Sequence, residues 1–252
     1  NYKECVFNGL PAFQALSENV RADLQHLCRS RSFMTGQTVV HAGDSAEDIG
    51  FVQDGFLRMQ KTLPDGRQHI VGLLGQGDMF GRVFDAASHF CIEAATPAKL
   101  CMFHRTAFND IVARSPELER AILMQFMTEL DRARDWMMIL ANHKIRARLA
   151  GMLLVFAKQM RSIDHLVTED GDTITVRIPI GRSDLAHLLG TRPESISRAF
   201  HALASDGMLL IHQPDLVTIT DPAALAEESG ELEFLDGASG GPREQSLSRS
   251  WV

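Results

Sequence analysis

Apolar positions change period along this chain, and each change marks a different class of element. Phe13, Leu16, Val20, Leu24 and Leu27 recur at helical spacing, which predicts an amphipathic helix over 12–30. From Ser32 to Phe103 the period shortens to two. Thr38-Val39-Val40, Gly50-Phe51-Val52, Phe56-Leu57-Arg58-Met59, His69-Ile70-Val71 and Lys99-Leu100-Cys101-Met102-Phe103 read as short strands. Glycines 36, 43, 55, 66, 72, 75, 77 and 81 punctuate them, and Pro64-Asp65-Gly66 is a tight-turn signal. Many short strands at regular spacing predict a barrel, roll or sandwich rather than a parallel sheet.

From Pro116 to about His143 the helical period returns with no further Pro and no Gly. Pro116 suits a first turn, and Glu117 and Glu119 suit the positive end of the helix dipole. Leu123, Phe126, Leu130, Ala133, Met137 and Leu140 step by three and four, a heptad seam of about two and a half repeats. Periodicity alone also allows a single amphipathic helix lying on its own domain. Ile122, Met127, Met138 and Ile139 add a second apolar face, so the pattern predicts burial against both the strand domain and a twin helix.

A helix over Ile145–Met160 follows, then a turn at Glu169-Asp170-Gly171, a strand over Thr173–Ile178, two short helices and a hairpin over Met208–Thr220. Gly190 separates the two short helices, where a helix-turn-helix corner needs a permissive backbone. Thr191 with Glu194 reads as a capping box, Pro193 fits a first turn, and the second helix is expected to start at Arg192. Its buried face would be Ile196, Ala199, Phe200 and Leu203. Its outer face presents Glu194, Ser197 and Arg198, donors and acceptors of the kind that read base edges. Arg192, Ser195 and Arg182 flank them as further candidate DNA contacts. The hairpin would be a wing, with His212 or Gln213 near phosphate at its tip.

Charge supports this placement. The net charge is −7, but residues 143–201 hold nine Lys/Arg against six Asp/Glu, while residues 202–252 hold two against nine. The basic surplus sits where a nucleic-acid footprint needs it. No apolar run is long enough for a membrane span and no signal peptide opens the chain, so a cytoplasmic protein is expected. No nucleophile triad, zinc-protease motif or phosphate-cradling glycine loop is present, which argues against an enzyme. A purely structural protein is the remaining alternative, to be excluded by specific DNA retention.

The strand-rich N-terminal half, the heptad helix and the segment Gly190-Thr191-Arg192-Pro193-Glu194-Ser195-Ile196-Ser197-Arg198 resemble the CRP–FNR superfamily over about residues 10–225. The resemblance implies an α+β chain with a cyclic-nucleotide-binding-type β-roll over 1–115 and a dimerisation helix over 116–143. A winged helix-turn-helix would occupy 144–226, followed by an acidic, flexible tail over 227–252. It implies a homodimer on double-stranded DNA, with RNA polymerase as a further partner. Glu194, Ser197 and Arg198 match the E-x-x-S-R arrangement of the FNR branch, and Pro193 replaces the arginine of the CRP branch. This implies half-sites similar to TTGAT.

For the signal, the resemblance offers two ligands. Cyclic nucleotide is not expected: Arg82 stands where the ribose-binding Glu would, no Arg follows in Asp85–Ala95, and Asp85 would repel phosphate. A 4Fe-4S cluster sensing oxygen takes four cysteine thiolates. Cys101 and Cys5 match two ligand positions of cluster-bearing members. The chain begins at Asn1 rather than Met, so the other two are expected in a missing leader. The other reading of Cys101 is a small buried hydrophobe. A regulator without a cluster, constitutive or responding to nitric oxide or thiol oxidation, stays open. Cys28 and Cys91 match no ligand position, and disulfides are not expected in a reducing compartment.

Overall fold

The computed structural model describes residues 13, 15–44, 47–63, 68–83, 87–161 and 166–230. Cys5, the Pro64-Asp65-Gly66 turn, Asp85 and the tail beyond residue 230 lie outside the described residues.

Helix α1 (Glu18–Leu27) leads into the strands β1 (Arg29–Phe33), β2 (Thr38–Val40), β3 (Asp48–Asp54), β4 (Leu57–Thr62), β5 (Gln68–Leu74), β6 (Met79–Phe80), β7 (Cys91–Ala94) and β8 (Ala98–His104). They form two four-stranded antiparallel sheets, ordered β1-β8-β3-β6 and β2-β7-β4-β5. The apolar run of β8 is buried on both faces. Leu100 and Met102 join a core with Val52 and Leu57, while Cys101 and Phe103 point into a second core with Phe13, Phe51 and Phe108. Alternating side chains thus serve two cores, which is why the strand reads as continuously apolar.

Two expectations about this half are corrected. The first helix ends at Leu27 rather than residue 30, because Arg29 already pairs with Met102. That pairing brings Cys28 beside Cys101, and a disulfide joins them with their Cα atoms 5.7 Å apart, within the usual span. Helix α2 (Arg105–Arg114) was not anticipated; Phe108, Ile111 and Val112 bury one of its faces.

The long helix α3 (Pro116–Ala141) packs Leu118, Ala121 and Ile122 on the roll and Ile139 on the C-terminal domain. Its expected seam is open to solvent: Leu123, Phe126, Leu130, Met137 and Leu140 are 39–61% exposed, and Ala133 is exposed too. Met127 and Met138, expected to face the chain's own domain, widen this open stripe instead, because they point away from both packed patches. Asp78 ties the helix to the roll. Its carboxylate accepts from the Gly75 amide at 2.8 Å and pairs with Arg132 at 2.6 Å. Burial, and then the charge of Asp78, pushes the nearby Glu129 carboxyl above its ordinary pKa.

The C-terminal domain comprises α4 (Ile145–Gln159), β9 (Val167–Asp170), β10 (Thr173–Arg177), α5 (Arg182–Leu188), α6 (Pro193–Ser205), β11 (Leu209–Gln213), β12 (Leu216–Ile219) and α7 (Pro222–Ser229). Its sheet is ordered β11-β12-β10-β9, all antiparallel. Helix α4 is buried along nearly its whole length, forming the spine of this core. Residues 227–229, expected in the tail, belong to α7 instead, which runs to Ser229. Asp221 caps that helix through the Ala224 amide, Pro222 occupies its first turn and left-handed Gly230 closes it. Among the described residues, no helix is long and apolar enough to cross a membrane.

Candidate nucleic-acid interface

The corner between α5 and α6 is built from backbone geometry. Gly190 sits at φ +63°, a left-handed conformation that L side chains avoid. The Thr191 amide then reaches back to the Ala186 carbonyl at 2.8 Å, closing α5 in a Schellman turn. Thr191 is therefore part of the turn, and the capping box expected between Thr191 and Glu194 does not form. The N-cap is Arg192, extended at φ −108°, ψ 150°, and the helix starts at Pro193. Proline dictates this shift, since the residue before it is pushed out of the helical region.

Helix α6 divides as its sequence predicts. Ile196, Ala199, Phe200 and Leu203 are buried. Glu194, Ser197 and Arg198 lie exposed on the other side, with Arg192, and Ser195 is half-buried beside them. Two of these side chains rest on their own helix. Ser197 Oγ donates to the Pro193 carbonyl at 3.1 Å, and Arg198 Nε donates to the Glu194 carbonyl at 3.4 Å. Such bonds to exposed carbonyls are easily exchanged for a stronger acceptor, such as a base edge.

Arg182 is placed differently. Its guanidinium lies on the Phe200 ring, 3.5 Å from the centroid, with Nη1 buried and unpartnered. Burial pushes its pKa below the ordinary arginine value, against the opposing charge of Asp215. It locks the two helices together before it can serve any phosphate. The wing is present as the β11–β12 hairpin, with Gln213 exposed at its tip and His212 Nε2 engaged with Thr218 Oγ1 at 2.8 Å.

Three arginines that carry this arrangement escaped the sequence reading. Arg148 Nε donates to the Asn142 carbonyl at 2.7 Å and its Nη1 to the Leu189 carbonyl at 2.9 Å, spanning from the end of α3 to the corner. Arg146 pairs with Asp206 at the end of α6 and with Glu228 of α7. Arg58, on the roll, pairs with Asp184 of α5. Apart from Asn142, six residues from Arg148, their partners are distant in sequence, so no local spacing announces them.

Of the two candidate cluster residues, Cys5 lies outside the described residues. Cys101 is fully buried and bonded to Cys28, while Cys91 is free on β7 of the other sheet. Among the described residues, no three His, Cys, Asp or Glu side chains gather as a metal site.

Comparison with known proteins agrees with this geometry. Residues 30–115 match the family described as "Cyclic nucleotide-binding domain", and residues 147–228 match "Crp-like helix-turn-helix domain". The chain is similar to the transcriptional activator protein FnrL of Cereibacter sphaeroides, with 31% identity over 210 residues, 83% of this chain and 84% of that protein. It is also similar to the nitrogen fixation regulation protein FixK of Bradyrhizobium diazoefficiens, with 29% identity over 87% of this chain and 90% of that protein. Among solved structures, FixK2 from Bradyrhizobium japonicum has the same fold at a TM-score of 0.70, with 22% identity, covering 79% of this chain and 96% of that one.

Gly190 offers a direct check on the corner. A Cβ there would meet Arg148 Nη1 at an ordinary 3.7 Å, so the cost of Gly190→Ala is conformational. Chemical denaturation should record a loss of about 1–2 kcal/mol. An unchanged midpoint would mean that the corner is not left-handed.

Proposed function

Since this chain belongs to the CRP–FNR superfamily of transcription regulators, in its FNR-like branch, we infer that it reads a two-fold duplex site with half-sites similar to TTGAT. The observation that carries this is the division of α6, packed by Phe200 and Leu203 on one side and offering Glu194, Ser197 and Arg198 on the other. Arginine fits guanine bidentately, glutamate accepts from the cytosine amine and serine serves either role. The family is one of regulators rather than enzymes. Activation through RNA polymerase is the mode suggested by relatives named as activators, and a DNA reader of this kind works in the cytoplasm. Cyclic nucleotide has no part in this reading, with Arg82 at the ribose position.

Arg198→Ala should cost about 1–3 kcal/mol on the specific site and leave competitor DNA almost unaffected, as read by a titration against both. Equal losses on the two would assign Arg198 to phosphate instead.

The open stripe of α3 supports a parallel homodimer through Leu123, Phe126, Leu130, Ala133, Met137 and Leu140. Large exposed apolar surface on one helix calls for a partner, and a twin helix presents the same heptad seam. A charge in that seam would meet its own copy in a dry interface. Leu130→Glu should therefore sediment as a folded monomer with most specific affinity lost, whereas the wild type stays dimeric in air at micromolar concentration. A monomeric wild type would refute the seam.

A redox signal at Cys101 completes the proposal. The described thiols do not fit a 4Fe-4S cluster, which takes four thiolates where only Cys28 and Cys101 meet. For a cluster, Cys28 would have to release Cys101, and Cys5 with cysteines outside this sequence would have to supply the other ligands. The Cys28–Cys101 bond favours a second reading, thiol oxidation, in which dioxygen or another oxidant takes two electrons and two protons from the pair. Anaerobic purification with an iron count separates them. Iron that disappears in Cys101→Ser supports the cluster. Iron-free protein whose DNA binding responds to air, and ceases to respond in both Cys28→Ser and Cys101→Ser, supports the thiol pair.

A further inference from the structure

Arg58 leaves its own sheet to reach the C-terminal domain. On β4 it stands opposite Glu93 of β7, its register partner, and the two side chains form an ion pair. The other oxygen of Glu93 accepts from Gln60 Nε2 at 3.0 Å, so this carboxylate is held from two sides. Across the domain boundary, Arg58 Nη1 donates to Asp184 Oδ2 at 2.7 Å, 126 residues away in sequence. Asp184 occupies the first turn of α5, where a negative charge also favours the helix dipole. The Arg58, Glu93 and Asp184 side chains are only 22%, 14% and 19% exposed. A pair so shielded is worth more than the near-zero value typical of surface ion pairs. Burial acts to lower the Arg58 pKa, and the charges and hydrogen bonds of Asp184 and Glu93 outweigh it, leaving the guanidinium above its ordinary value.

The same boundary has an apolar part. Phe56 and Ile70 of the roll are buried in one core with the C-terminal domain. Apolar burial holds two surfaces together but sets little direction between them. A guanidinium fork fixed between two carboxylates does set a direction. This contact grips the helix-turn-helix by its first helix. Glu194, Ser197 and Arg198 on the second helix remain exposed.

We propose that Arg58 is a positioning residue for DNA reading: through Asp184 it sets the angle of the helix-turn-helix against the roll, and thereby the facing of the two recognition helices in the dimer. This role rests on the DNA-reading dimer proposed above. A half-site moved by one base pair also turns by about 35° around the duplex, so a fixed angle is legible as a preference for one spacing between half-sites.

The test uses the full chain and duplexes that the wild type selects from a random pool, each remade with the spacer lengthened or shortened by one base pair. Arg58→Met keeps the apolar stem and removes the fork. Asp184→Asn keeps the shape of its side chain and removes the charge, which guards against misfolding. Both variants should remain dimeric by sedimentation, lose about ten-fold in affinity on the preferred spacer and lose clearly less on the altered ones. The double variant should bind no worse than either single, as expected of two residues acting through one contact. Equal losses on every duplex, additive losses in the double variant, or an unchanged spacing preference in both variants would overturn the role of Arg58 while leaving DNA reading intact. A wild type that selects no site at all would overturn the DNA-reading conclusion and this role with it.

Discussion

Helix α3 carries more apolar surface than the described residues of its own chain cover, and both domains hang from it. Near its start Leu118 and Ile122 are buried on the roll; near its end Ile139 is buried against α4. The second contact is close, since a Cβ on Gly151 would stand 3.1 Å from Ile139 Cγ1 and the isoleucine would have to give by a few tenths of an ångström. What remains is a stripe from Leu123 to Leu140 that the described residues of this chain leave exposed. One rigid element thus serves three apolar demands, and moving it relative to either domain would expose a core.

The C-terminal domain meets the roll through two kinds of contact that divide the work. Phe56 and Ile70 contribute to a shared core, a favourable but weakly directional term. Arg58 with Asp184 adds a polar anchor whose geometry is specific, while Arg132 with Asp78 anchors the long helix to the roll. A cleft of about 300 Å³ beside the Arg132–Asp78 pair is lined by Phe56, Asp78, Arg132, Trp136 and Phe156, so it draws on the roll, the long helix and α4 together.

Much of this was legible in the chain because the relevant signals are local. A seam with steps of three and four, a glycine between two short apolar periods and a proline before Glu194 each concern neighbours within a few residues. The same locality explains the errors. Thr191 and Glu194 fit a capping box by spacing, but Pro193 forces Arg192 to be extended and moves the cap by one residue. The tail looked acidic from Glu227, yet the Asp221 cap and Gly230 bound a helix that includes residues 227–229. Helix α2 had its signal in Phe108, Ile111 and Val112, hidden beside a long strand domain. The pairing of Cys28 with Cys101, 73 residues apart, and the bridge from Arg58 to Asp184 depend on how sheets and domains are laid together, which no spacing encodes.

The guanidinium of Arg148 joins two places where helices end. It holds the carbonyl of Asn142, the last turn of the long helix, and the carbonyl of Leu189, just before the left-handed corner. Asn142 in turn donates to the Ser229 carbonyl at the close of α7. Three helix termini are therefore linked through one half-buried fork and one amide. Fraying at the end of the long helix would withdraw the hydrogen bond that Asn142 gives to Ser229 and one of the two that hold Arg148, so the local stability of that end is coupled both to the close of α7 and to the corner.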